Sequence, residues 1–287
     1  MRRVVLVAGL GILTTICVCA CANQGVAKTA DDLTKANGSS SHSQSAATKE
    51  QEIGETSRET DMTNSMQVVE TTIPDISALS AGSIVDVSFM SAQQIEKYFY
   101  YESISDVVFS RMQGNSYGED CTIPLEELAY VRVLYYGFDK QTHVGELVVN
   151  VAISDDIVDI FRALYAASYP IEKMVLVDDY GADDNLSMAA NNTSSFNYRV
   201  VQGTSTLSRH AEGMAIDINP LYNPWVYTDN GATVIDPPAG AAYADRSLDV
   251  AYYIDQDDLC YQLFTEHGFT WGGDWSSSKD YQHFSKG

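Results

Sequence analysis

The chain has 287 residues, 45% of them hydrophobic, and carries 17 Lys and Arg against 39 Asp and Glu, a formal net charge of −22 at pH 7. Residues 76–287 alone hold 30 of the acids and 11 of the bases. Acidity on that scale repels a phosphate backbone and argues against nucleic acid as a partner, while the apolar share is enough for a buried core.

In chain order, Arg2 and Arg3 precede an uncharged, largely apolar run from Val4 to Ala20. A charged n-region followed by an apolar h-region is the pattern of an export signal, and the run is slightly short for a membrane span. It ends in Val18-Cys19-Ala20-Cys21, which resembles a bacterial lipobox. Residues 1–21 are therefore expected to be a lipoprotein-type signal, with Cys21 the lipidated first residue of the mature chain. An uncleaved anchor or an ordinary signal peptide is the alternative. Both readings place the rest of the chain outside the cytoplasm, at a bacterial cell surface. Residues 22–75 are rich in Ser, Thr, Ala, Gln and Glu and have no aromatics. They bury too little apolar area to offset the entropy of ordering and are expected to be a flexible tether. Residues 76–287 are expected to form one domain, acting as a monomer.

Within that domain, SAQQIEKYFY (residues 91–100) reads as a capped helix. Residues 128–138 and 143–153 read as two strands joined by a short turn, a hairpin. Ser154 opens the clearest helix: Asp155 and Asp156 suit its first turn, Ile157, Ile160, Phe161, Leu164 and Tyr165 follow helical spacing, and Pro170 closes it. KMVLVDD (residues 173–179) reads as a further strand, and residues 180–195 as a polar loop. In SRHAEGMAIDINP (residues 208–220), Met214, Ile216 and Ile218 alternate with Ala215, Asp217 and Asn219, so a strand would put the Asp217 carboxylate opposite a core face. Residues 220–246 read as a long loop of the kind that often serves function. Residues 256–267 form a second helical pattern, with Gly268 as its stop. This order of elements suggests an α+β fold with a central antiparallel sheet flanked by helices.

Five cysteines occur, and three of them (Cys17, Cys19 and Cys21) belong to the export segment. Cys121 and Cys260 either pair in an oxidising compartment or remain separate thiols. Of the five histidines, His42 falls in the tether, His143 at a turn and His267 at a helix end. His210 and His283 stand beside carboxylates. With Asp217 they would supply the three nitrogen and carboxylate ligands of a catalytic zinc site. On spacing alone, Asp217 could equally cap a turn while both histidines bond backbone.

S-R-H-A-E-G-M-A-I-D-I-N-P, together with G-F-T-W-G-G-D-W and D-Y-Q-H-F toward the C-terminus and N-N-T-S-S-F-N-Y-R upstream, resembles the motifs of the M15 metallopeptidases. These are the D-alanyl-D-alanine carboxypeptidases and L-alanyl-D-glutamate endopeptidases of peptidoglycan. The resemblance implies zinc held by His210, Asp217 and His283, with Asp280 as general base and Arg199 steadying the developing oxyanion or a substrate carboxylate. It further implies a supporting role for Ser208 toward substrate or the metal loop, and a hedgehog/DD-peptidase-like fold. Trp271 and Trp275 are candidates to wall the cleft, and Gly272 and Gly273 to let the backbone turn beside the metal. Asp280 and His283, three apart, can share a site only across a turn or bulge, so Asp280 is expected on a loop before a strand over residues 282–285. Competing readings are a serine hydrolase using Ser208 or a nearby Ser with His210 and an aspartate, for which no G-x-S-x-G elbow occurs, and a non-catalytic module that keeps zinc for structure.

Overall fold

Two nine-residue strands, β2 (Leu128–Tyr136) and β3 (Thr142–Asn150), pair antiparallel in continuous register from Leu128↔Asn150 to Tyr136↔Thr142. The computed structural model describes residues 75–201 and 204–287, so the expected signal segment, the tether through residue 74 and Cys21 lie outside the described residues. A short capped helix α1 (Ala92–Glu96) precedes strand β1 (Tyr100–Ser103), which adds to β2, and helix α2 (Asp106–Met112) follows β1. Ser91 and Gln94 close a reciprocal capping box on α1.

Residues 128–135 are all buried because this sheet is covered on both faces. Val131, Leu147 and Val149 join a large cluster with Ile157, Ile160 and Phe161 of helix α3 (Ser154–Ala166). Leu128, Tyr130 and Val148 join a second cluster with Val108 and Met112 of α2 and with Phe196. Asp155 and Asp156 occupy the first turn of α3 as expected. The chain leaves that helix through Ser168, whose φ is 56°, ahead of Pro170. Helix α4 (Asp184–Ala189) is capped by Asp183, and α5 (Leu259–Glu266) starts two to three residues later than its apolar pattern suggests because Asp258 caps it. Phe161 meets Phe264 edge-on across α3 and α5.

Among the described residues the expected central sheet is instead three small antiparallel sheets, each of three strands. The second is built from β4 (Ala215–Asp217), β7 (Thr270–Trp271) and β9 (His283–Ser285), with β9 in the middle. The third is built from β5 (Trp225–Asp229), β6 (Ala232–Asp236) and β8 (Lys279–Asp280), with β5 in the middle. Mixed helices and small antiparallel sheets make the fold α+β.

Three segments of the sequence change reading, and the first is the polar loop expected over residues 180–195, which contains α4 (Asp184–Ala189). The segment read as a loop over residues 220–246 contains the β5–β6 hairpin. Its turn, Asn230-Gly231 with φ of 50° and 80°, is the strongest short hairpin signal a sequence carries. Residues 173–179 are not a strand. Met174 and Leu176 are buried, but the backbone of Val175 is satisfied by the Asn192 side chain, through Oδ1 at 2.9 Å and Nδ2 at 3.0 Å. Cys121 and Cys260 are separate free thiols. No helix among the described residues is long and apolar enough to cross a membrane.

Candidate metal centre

Ser208 caps a single helical turn, Arg209–Glu212, its Oγ accepting from the His210 amide at 3.2 Å. Gly213, with φ of 68°, ends the turn, and a Cβ there would lie 2.7 Å from the Asn150 amide nitrogen. Only glycine allows this turn to dock against the end of β3. The docking aims His210 inward and starts β4, whose Asp217 pairs in register with His283 of β9. Directly opposed residues of an antiparallel pair project from the same face, so register alone brings together two side chains far apart in the chain.

The three ligand atoms then form a nearly equilateral triangle. His210 Nε2 lies 3.2 Å from His283 Nδ1 and 3.2 Å from Asp217 Oδ1, and His283 Nδ1 lies 3.1 Å from the same carboxylate oxygen. All three residues are buried. On its far side His210 Nδ1 meets the Ser195 carbonyl at 2.8 Å. As donor there, the ring leaves the Nε2 lone pair facing its neighbours, which is how a metal-ligating imidazole is held. Three such atoms at that range can share a proton or hold a cation. Tetrahedral zinc with bonds of about 2.0–2.1 Å sets its ligand atoms roughly 3.3 Å apart, so the donor set fits the ion. His210 Nε2 faces Asp217 and His283, while Ser208 Oγ accepts from the His210 amide, so His210 and Ser208 are not arranged as a base and its nucleophile.

Electrostatics agree with shared positive charge. Burial pushes the Asp217 carboxyl up, but His210 and His283 outweigh it and hold it well below the usual carboxylate range. Burial pushes His210 down, and Asp217 more than reverses this. Asp280 is different. Desolvation dominates, with Asp217 and Asp236 adding to it against His283, and the carboxyl is pushed up to about 7. Asp280 lies on the two-residue strand β8 and not on a loop. The bend over Tyr281-Gln282 separates it from β9, as the spacing requires. Gly272 makes room for it, since a Cβ there would sit 2.5 Å from the Asp280 carbonyl oxygen.

A cleft of ≈ 670 Å³ opens over the triangle, and Arg199, Ser208, Trp275 and Asp280 are among its lining residues. Arg199 is ion-paired through Nε with Asp184 of α4, a partner hidden in the sequence because Asp184 falls in a segment that reads as a polar loop. The Arg199 carbonyl accepts from the Ser208 amide at 3.0 Å, which ties this strip to the metal turn. Trp271 does not wall the cleft. It is buried in the main core and donates Nε1–H to the Tyr281 carbonyl at 2.9 Å. Gly273 serves this packing, because a Cβ there would enter the Trp271 ring. The indoles that line the cleft are Trp275 and, unforeseen, Trp225. Ser195 also escaped sequence reasoning, since it acts through a backbone carbonyl that any residue would supply.

Residues 202–286 match the model of a peptidase family in the M15 group, described as D-alanyl-D-alanine carboxypeptidase. The match starts after Arg199 and includes His210, Asp217, Asp280 and His283. No curated protein and no solved structure matches the chain.

Proposed function

We propose, with an M15 peptidase segment over residues 202–286 as the premise, that the protein is a zinc-dependent peptidase of peptidoglycan stem peptides, acting in the manner of a D-alanyl-D-alanine carboxypeptidase. The carrying observation is the buried His210–Asp217–His283 triangle, with Asp280 beside it in one cleft. Bound in the triangle, zinc supplies a Lewis acid for the scissile carbonyl and makes water acidic near neutral pH. The remaining work falls to the chain itself. Asp280, poised near 7, takes a proton from the attacking water and returns it to the leaving amine. Arg199 is held through Nε by Asp184, and its terminal nitrogens serve the negative charge developing on the substrate. Ser208 holds the His210 turn in place. The perturbed Asp280 argues against a module that keeps zinc only for structure.

Cleavage between L-Ala and D-Glu is the second reading. It is favoured by the Arg199–Asp184 pair, which reduces the attraction of the cleft for a free carboxy terminus. On sequence grounds the export segment and Cys21 would hold the enzyme on the outer face of a bacterial membrane. A tether of about 50 residues reaches roughly 40 Å on average, close to the wall peptides. Digestion of purified muropeptides by the zinc-loaded protein, with product masses measured, tests the reading. Loss of one alanine identifies a carboxypeptidase, and a residual muramyl-L-Ala stub identifies an endopeptidase. Muropeptides left intact would sink both.

A further inference from the structure

The third sheet lays three residues in one row. Asp236 of β6 is in register with Trp225 of β5, and Trp225 is in register with Asp280 of β8. In-register neighbours on antiparallel strands share a face, and all three residues line the cleft. With strands about 4.8 Å apart, Asp236 stands about 10 Å from Asp280, across the Trp225 indole.

Two carboxylates in the cleft, Asp236 and Asp280, have a buried Oδ1 with no hydrogen-bond partner among the described residues, and neither is ion-paired. Arg199 answers Asp184, and Arg209 answers Glu212 at 2.7 Å. Asp217 lies between two imidazoles, and Asp280 is the proposed base. Asp236 is left over. It is 9% exposed, and its Oδ1 is buried with no hydrogen-bond partner among the described residues. Gln282, 2% exposed, lies against it, with Nε2 at 3.5 Å from the Asp236 carbonyl, and its Oε1 is likewise buried without a partner. Asp236 is not one of the converging metal ligands. The Trp225 Nε1–H is also buried without a partner among the described residues; unmet polar groups destabilise the free protein, and a ligand that donates to the two acceptors would recover their share of that energy.

We infer that Asp236 and Gln282, beside Trp225, form a subsite for an ammonium group of the substrate. An ammonium brings three donors for the two acceptors, and an indole face favours a cation. A distance of about 10 Å is that of three extended residues, or of one residue and a long side chain. The ammonium therefore belongs either to a diamino acid flanking the scissile bond or to the free amino terminus of a short peptide. The inference rests on the peptidase reading for its substrate and on the unpartnered acceptors for its chemistry.

Synthetic stem peptides of one sequence, with the side-chain amine or the terminal amine free or acetylated, separate the two sources. For the zinc-loaded wild type, acetylating one of the two amines lowers kcat/KM by about tenfold or more, the weight of a charge-assisted hydrogen bond. In Asp236→Asn that ratio falls below about threefold. A wild type indifferent to both acetylations overturns the subsite, as does a variant that discriminates as the wild type does. The wild-type arm requires no substitution and stands even if the variant folds poorly. Calorimetric binding of the same peptides gives a readout independent of turnover. If no peptide is cleaved, the peptidase reading fails on its own, and the presence or absence of an ammonium preference in binding still decides the subsite.

Discussion

Glu146 on β3 and Asp217 on β4 are both carboxylates sunk in the protein, 1% and 8% exposed, and the company they keep is opposite. Glu146 accepts two hydrogen bonds from Arg111, at 2.7 and 2.9 Å, and others from the Tyr130 hydroxyl and the Leu176 amide, while Arg132 stands 3.7 Å away. Burial pushes its carboxyl up, and Arg111 with Tyr130 pulls it below the usual range. Its counter-charges are permanent, and it lines neither described cavity. Asp217 also lies low, but its partners are two imidazoles, whose positive charge is exchangeable, and a cleft opens onto it. A buried acid answered by arginines is complete in itself. One answered by histidines takes its positive charge from a proton or a metal ion, and that makes it the chemical site.

The contrast breaks most severely if His210→Ala keeps its metal. The expected outcome is a fall from about one zinc per chain to nearly none by elemental analysis, with activity lost and the far-ultraviolet dichroism retained.

Next in size is Asp280→Asn, expected to keep zinc and slow turnover by roughly 10²–10⁴-fold. Wild-type activity should rise with pH as this carboxyl ionises, in a range below the metal-free value of about 7 because bound zinc favours the carboxylate, and the variant should lack that limb. Stability carries the matching sign. The folded value of about 7 lies above the ordinary aspartate value of 3.8, so the native state binds this proton more tightly than the unfolded chain. The stabilisation is present at low pH and disappears as pH rises from about 4 to about 7. Urea unfolding of the metal-free proteins should therefore show Asp280→Asn gaining on wild type across that window. No relative change would mean an unperturbed carboxyl.

The smallest effect on function is expected from Glu146→Ala. It leaves the buried Arg132 without its carboxylate, while Arg111 keeps Asp179 at 2.9 Å, and should cost about 3 kcal/mol in urea unfolding. Zinc content and kcat/KM, measured where the variant is folded, should stay within about twofold of wild type. A loss of metal would show that the two clusters are coupled.

Much of this could be read from the chain. Val- and Tyr-rich runs around a short turn announced the β2–β3 hairpin, and paired aspartates announced α3. The motif around His210 and the D-Y-Q-H-F ending named by type and order the three side chains that converge. The Asn230-Gly231 turn was also available, but the prolines and asparagines around it masked the hairpin. The segment at 173–179 misled because its apolar residues do enter the core, while its backbone bonds go to the Asn192 side chain and to β3, where Glu146 N donates to Met174 O at 3.2 Å. Trp271 and Trp275 are indistinguishable by residue type, and packing alone sends one into the core and the other to the cleft.

Local order came from the sequence because capping, turn chemistry and side-chain periodicity act over a few residues. His210, Asp217 and His283 could be named there as an ordered set of donors. Their convergence to a triangle with sides of 3.1–3.2 Å waited on the tertiary structure. It depends on the β4–β9 register and on a glycine that presses the His210 turn against β3. The Asp184 hold on Arg199 and the unanswered charge of Asp236 were decided there as well, because a carboxylate acquires its role from whatever the fold sets opposite it.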